Sequence, residues 1–108
     1  MEPKVTLDDI HQTEQLIQAV EENEKATNEE RNKWIDVCRD IIERNGDTGT
    51  IANPEDYNRL NETTDEIKKL GAKCDKLEKR RSELSKIWHQ QVAEYIKLSQ
   101  AANPPQQE

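Results

Sequence analysis

The second half of the chain carries a very regular pattern of apolar positions. Between Pro54 and Pro104 no proline interrupts it, and two rows of residues each recur every seven positions, three residues apart. The first row is Leu60, Ile67, Cys74, Arg81, Trp88 and Tyr95, and the second is Thr63, Leu70, Leu77, Leu84, Gln91 and Leu98. This is the spacing of the a and d positions of a heptad repeat, sustained over about six heptads. It predicts a long helix that packs against another helix along this stripe.

The first half of the chain is apolar at its two ends and polar in between. Leu7, Ile10, Ile17 and Val20 fall on one face of a helix, and apolar residues return at residues 34–42 with the same helical spacing. Residues 21–33 are almost entirely polar, and Thr27 followed by Asn28, Glu29 and Glu30 has the pattern of a capping box. The first helix is therefore either continuous or broken near residue 27 into segments 7–26 and 28–45.

Residues typical of helix ends mark the boundaries of both segments. Thr6 can cap the first helix by accepting a hydrogen bond from the amide of Asp9, and Gly46 can end it in the left-handed conformation. Asn53 can cap the second helix, with Pro54 in its first turn. The predicted organisation is an N-terminal tail at 1–5, a first helix at 6–45, a loop at 46–53, a second helix at 54–102 and a disordered tail at 103–108.

A loop of eight residues between two long helices predicts an antiparallel helical hairpin. Placing residue 45 opposite residue 54 brings the apolar ends of the two helices together. In the middle, residues 21–33 offer little apolar surface to the segment from Ile67 to Leu77, so part of the second helix lacks a partner. The predicted fold is an all-α hairpin or coiled coil that another chain completes into a three- or four-helix bundle.

The residues predicted to bind a partner lie along that stripe and where it widens near the C-terminus. They are Ile67, Leu70, Cys74, Leu77, Leu84, Trp88, Val92, Tyr95 and Leu98. Trp88 and Tyr95 are either core residues or anchors for a partner. The polar residues Arg81 and Gln91 at a and d positions are typical of coiled coils in which such residues fix the register.

Charge is unevenly distributed along the chain. The net charge of −7 disfavours nucleic acid and anionic membranes as partners. Residues 68–86 nevertheless hold eight basic and three acidic side chains, while residues 13–31 hold six acidic and two basic ones. The two stretches face one another in an antiparallel hairpin, so the basic run is first interpreted as an internal flank of the coiled coil. A phosphate contact through Lys79, Arg80 and Arg81 is the alternative.

The sequence predicts no catalytic, cofactor or metal site, and therefore no enzyme. Cys38 and Cys74 would lie about 20 Å apart along the hairpin, too far for a disulfide. His11 and His89 could approach one another at the open end, but zinc needs three or four ligands. Two helices packed along a thin stripe also leave no pocket for a small-molecule substrate.

Targeting signals are also missing from the sequence. The N-terminal residues MEPKVTLDDI lack the basic start and apolar run of a secretory signal, and no stretch reaches the ~18 apolar residues of a membrane span. An intracellular, soluble protein is expected, in either the cytoplasm or the nucleus.

These expectations favour a non-enzymatic coiled-coil module whose partners are protein helices, in a homo- or hetero-oligomer. It would act as a small subunit or scaffold of an intracellular assembly. In outline the architecture resembles helical-hairpin chaperones such as prefoldin subunits and tubulin cofactor A, which would imply that it holds a client protein. A third hypothesis is a chromosome or DNA-repair accessory that contacts nucleic acid through residues 76–86.

Overall fold

Two long helices make up the structure. A computed structural model describes residues 4–46, 51 and 53–102. Helix α1 spans Leu7–Asn45 and helix α2 spans Pro54–Ala102, with no strand among the described residues. The predicted all-α antiparallel hairpin is confirmed. The predicted tail at 103–108, residues 1–3, and loop residues 47–50 and 52 lie outside the described residues.

The contacts divide the chain into two compact units. The loop unit is Asn23–Glu78 and contains the turn between the helices. The terminal unit combines Met1–Glu22 with Lys79–Glu108. Each unit therefore contains a piece of α1 and a piece of α2, and each is described below by itself.

Side chains cap α1 at its first turn and α2 at its start. The amide of Asp9 donates to Thr6 Oγ1 at 3.2 Å, and the amide of Thr6 donates back to Asp9 Oδ2 at 2.9 Å. This reciprocal pair satisfies two amides that have no partner within a helix. At the start of α2, Asn53 Oδ1 accepts a hydrogen bond from the amide of Glu55 at 2.9 Å. Both caps confirm the residues predicted from the sequence.

Helix α1 is continuous through Thr27, so of the two predicted alternatives the unbroken helix is the one observed. Thr27 is only 2% exposed, and its Oγ1 donates to the carbonyl oxygen of Asn23 at 2.7 Å. The hydroxyl is satisfied by the preceding turn and so does not cap a new helix. The interpretation of residues 27–30 as a capping box was therefore wrong.

The predicted a and d positions of α2 are buried or half-buried without exception. Helix α1 has a matching row, in which the spacing alternates between three and four residues. Its members are Ile10, Thr13, Ile17, Val20, Glu24, Thr27, Arg31, Trp34, Cys38, Ile41 and Asn45, and all are buried or half-buried. We call these rows of α1 and α2 the seam. Its most buried hydrophobic residues are Ile10, Ile41, Leu70 and Leu84.

Hydrogen bonds between the helices define the register within each unit. In the loop unit, Asn45 Nδ2 donates to Asp56 Oδ2 at 3.1 Å, although loop length predicted residue 54 as its neighbour. In the terminal unit, Thr13 Oγ1 donates to Gln91 Oε1 at 2.7 Å, whereas the predicted register placed residue 86 there. The predicted register was therefore several residues short. Polar side chains therefore contact one another across the helices in both units.

The two described glycines allow a matched test of backbone and side-chain effects. Gly46 ends α1 with φ of +71°, a left-handed conformation that costs an L-residue about 1 kcal/mol or more. Gly71 lies inside α2 without a positive φ, and a Cβ added there would meet no atom within 4 Å. We expect Gly46→Ala to lower the free energy of unfolding by about 1 kcal/mol and Gly71→Ala to raise it by about 0.5–1 kcal/mol. Urea unfolding followed by circular dichroism at low protein concentration measures both, and equal effects would contradict the helix boundaries.

Candidate interaction surfaces

The residues predicted to bind a partner lie mostly inside the seam. Leu70 and Leu84 are 8% and 3% exposed, so the hairpin itself already buries them. The other seven, Ile67, Cys74, Leu77, Trp88, Val92, Tyr95 and Leu98, are half-buried. All except Val92 occupy a or d positions. A partner could reach only the outer part of these side chains.

Trp88 and Cys74 show how polar atoms of the seam are used within each unit. In the terminal unit, Trp88 Nε1 donates to Glu14 Oε1 at 3.2 Å, and its ring lies edge-on to His89 with a centroid separation of 5.0 Å. In the loop unit, Cys74 Sγ donates to Asn28 Oδ1 at 3.3 Å. Both side chains are therefore engaged across the hairpin.

Several seam positions hold polar side chains that a tight apolar core would exclude. Thr63 is fully buried and its Oγ1 donates to the carbonyl oxygen of Arg59 at 2.7 Å. Arg31 is half-buried, and its Nε is buried without a hydrogen-bond partner among the described residues. A buried nitrogen without a partner costs free energy. The seam is therefore partly polar at these layers.

Large apolar side chains are exposed on both units. They are Leu7, Leu16, Ile42, Tyr57, Ile87 and Ile96, with exposed fractions between 41% and 54%. None belongs to the seam. Only four hydrophobic residues are fully buried among the described ones, and most of the other large apolar side chains are half-buried.

None of the exposed apolar residues is among those predicted to bind a partner, because that prediction followed the a and d rows of α2 and their widening near the C-terminus. The missing signal was the continuous row of α1, which passes through the polar residues Thr13, Glu24 and Thr27. Leu16 and Ile42 lie directly beside members of this row, so they flank the seam and are not part of it.

The heptad positions assign these residues to two edges of the seam. Residues directly after a d position are e positions, and those directly before an a position are g positions. In an antiparallel pair the e positions of both helices lie on one side and the g positions on the other. We call the e positions of the loop unit the e edge; they are Asn28, Ile35 and Ile42 of α1 and Tyr57, Thr64, Gly71 and Glu78 of α2.

The e edge is the less charged side of the loop unit. Ile42 and Tyr57 are 50% and 54% exposed, and Ile35, Thr64 and Gly71 are half-buried. Glu78 is the one charged member of this set. Such an edge, uncharged over most of its length and carrying two exposed large side chains, is typical of a surface that packs against another helix.

The terminal unit exposes apolar residues at two places. Leu16 of α1 and Ile87 of α2 both occupy g positions and so share one edge. At the ends of the helices an open groove of about 750 Å³ is lined by Val5, Leu7, Tyr95 and other residues of segments 4–8 and 95–101. Four of the six exposed large apolar residues therefore belong to the terminal unit, but they do not share one edge of the seam.

The predicted nucleic-acid residues do not share one face. Lys79 and Arg80 are exposed, whereas Arg81 is half-buried at an a position of the seam. Nucleic-acid contact through residues 76–86 stays a prediction, as does the holding of a client protein.

The described residues show no candidate metal site, and no similar protein indicates a function. The described residues contain no group of three or more His, Cys, Asp or Glu side chains that could hold a metal ion. In the part of the chain that the structure describes, no helix is long and apolar enough to cross a membrane. No protein-family model, curated protein or solved structure matches the chain significantly. The proposal below therefore rests on the geometry of the chain itself.

Proposed function

We propose that the protein is a non-enzymatic coiled-coil module that binds a helix of another protein chain, as a small subunit or scaffold of an intracellular assembly. The observation that supports this is the set of six large hydrophobic side chains that the two helices leave 41–54% exposed. Complete burial of a Leu or Ile side chain is worth about 1.5–3 kcal/mol. Covering half-exposed residues on one edge would therefore contribute about 1 kcal/mol for each.

The e edge of the loop unit is the proposed docking surface. Ile42 on α1 and Tyr57 on α2 flank the same side of the seam, and both are about half exposed. A helix laid along this edge would contact e positions of both α1 and α2, as the third helix of a bundle does. The half-buried residues predicted from the sequence, such as Ile67 and Cys74, would complete the contact with their outer atoms.

The test compares two charge-matched double variants. Ile42→Lys with Tyr57→Lys places two cations on the e edge, whereas Gln15→Lys with Asn58→Lys places two cations at exposed f positions, which point away from the seam. In extracts of cells that express the chain at native level, we expect the unsubstituted chain to elute in a complex larger than a single chain. In the e-edge variant the amount of that complex should fall by at least 90%, because burying the edge would now bury two charges. A tenfold loss of affinity corresponds to about 1.4 kcal/mol of binding free energy.

The control variant should stay in the complex, because its new charges remain in water. Helix content by circular dichroism checks that both variants are folded. An unsubstituted chain that elutes as a single chain in extracts and when purified would contradict the proposal, and so would a complex that both variants retain.

A further inference from the structure

We infer that the partner of the e edge is a second copy of this chain: α2 crosses α2 of the second copy in antiparallel orientation at Gly71, and Lys68 of each copy pairs with Asp75 of the other. This inference rests on the proposed function and names the partner for the part of the e edge around Gly71. It draws on two independent features of the loop unit, an unexplained helical glycine and a symmetric arrangement of charge about it.

Gly71 has no role that the chain itself explains. It lies inside α2, where glycine is less favourable than alanine, and its φ is not positive. A Cβ added at this position would meet no atom within 4 Å, so packing against α1 does not require glycine. The absence of a side chain does allow a second backbone to approach closely. Gly71 is half-buried and belongs to the e edge, the surface already proposed for docking.

The charges around Gly71 suit a second copy in antiparallel orientation. Lys68 precedes Gly71 by three residues and Asp75 follows it by four, and both side chains are exposed. Both are b positions, which lie on the outer flank of the e edge. When two α2 helices cross antiparallel at Gly71, the residue before the crossing on one copy lies near the residue after it on the other. A two-fold axis at the crossing therefore forms the Lys68 to Asp75 pair twice.

The next e positions on either side fit the same arrangement. Thr64 and Glu78 each lie seven residues from Gly71, so the crossing brings Glu78 of one copy beside Thr64 of the other. Each carboxylate then faces a small uncharged side chain, and like charges do not meet. In parallel orientation Glu78 would face Glu78 and Lys68 would face Lys68, which is unfavourable. Antiparallel pairing of identical copies is therefore the orientation that these residues select.

A charge swap tests the inference on the purified full chain by sedimentation equilibrium over a range of concentrations. We expect a dimer for the unsubstituted chain. Lys68→Asp and Asp75→Lys should each raise the dimer dissociation constant about tenfold or more, because two attractive pairs become repulsive. The double variant Lys68→Asp with Asp75→Lys should restore the original constant. Gly71→Gln, which puts a long side chain into the crossing, should raise the constant by a similar factor without loss of helix.

General repulsion between the acidic chains gives a different pattern. Lys68→Asp makes the net charge more negative and Asp75→Lys makes it less negative, so a net-charge effect would move the two dissociation constants in opposite directions. Opposite shifts, an unrestored double variant or a dimer indifferent to all four variants would each overturn the inference. A helical chain that stays monomeric when purified but enters a larger complex in extracts would overturn the second copy as partner and leave the interaction module standing. A chain that is monomeric both when purified and in extracts would overturn both the inference and the proposed function.

Discussion

Ile41→Ala is expected to lower the free energy of unfolding by about 3 kcal/mol, whereas Ile42→Ala should change it by less than about 0.5 kcal/mol. The two isoleucines are neighbours in α1, but Ile41 is 1% exposed in the seam and Ile42 is 50% exposed on the e edge. Truncating a buried isoleucine removes its transfer free energy and leaves a cavity. Truncating an exposed one in a helix loses little, because alanine is the better helix former.

The effect at Ile41 is large relative to the total stability expected for so small a core. Domains are stable by only about 5–15 kcal/mol, and the described part of this chain buries four hydrophobic residues. Urea unfolding followed by circular dichroism at low protein concentration gives the free energies for both variants, and the low concentration keeps association through Ile42 out of the measurement. Equal losses at the two positions would show that the seam of α1 has been assigned wrongly.

The second helix could be predicted in detail because its pattern is carried by apolar residues. Leu70, Leu77 and Leu84 recur every seven residues and Leu60 and Ile67 form part of the parallel row, which is the period of paired helices. Its start follows from the cap at Asn53, whose side chain has a specific local hydrogen bond to make. These are local signals, and local signals can be read from a sequence.

The first helix could be predicted only in part, because its seam runs through residues that hydropathy counts as polar. The Thr27 hydroxyl donates a hydrogen bond to the carbonyl oxygen of Asn23 in the preceding turn, so the buried side chain packs much as a valine would. Glu24 and Arg31 are half-buried, and the aliphatic stem of such a long side chain can line a seam. A seam of this kind has helical spacing without apolar character.

The candidate site could not be predicted before the rows of both helices that form the seam were known. The sequence indicates which residues are apolar enough to favour burial, and the hairpin buries only some of them by itself. Leu70 and Leu84 turn out to be buried within the chain, while Tyr57 and Ile42 stay exposed. Which apolar residues are left over depends on the register, and the register depends on a few polar contacts between the helices.

The strongest of these contacts, between Thr13 and Gln91, leads to the second large prediction. Thr13 is 5% exposed, and its Oγ1 lies 2.7 Å from Gln91 Oε1 and 3.1 Å from the carbonyl oxygen of Asp9. Thr13→Val should lower the free energy of unfolding by about 1 kcal/mol, because it leaves the half-buried Gln91 amide without this partner. Gln91→Leu should raise it by about 1 kcal/mol, since the Thr13 hydroxyl can still donate to Asp9.

The double variant Thr13→Val with Gln91→Leu should be more stable than the unsubstituted chain by about 2 kcal/mol, because both partners become apolar and neither is left unsatisfied. The single effects would cancel if they were additive, so the excess measures the coupling between the two side chains. A double variant no more stable than the sum of the single variants would show that the contact is not formed. The expected gain means that the polar pair is not the most stable choice at this layer. Its value lies in the register, because a threonine and a glutamine that must meet allow one alignment of α1 on α2, whereas valine and leucine would tolerate several.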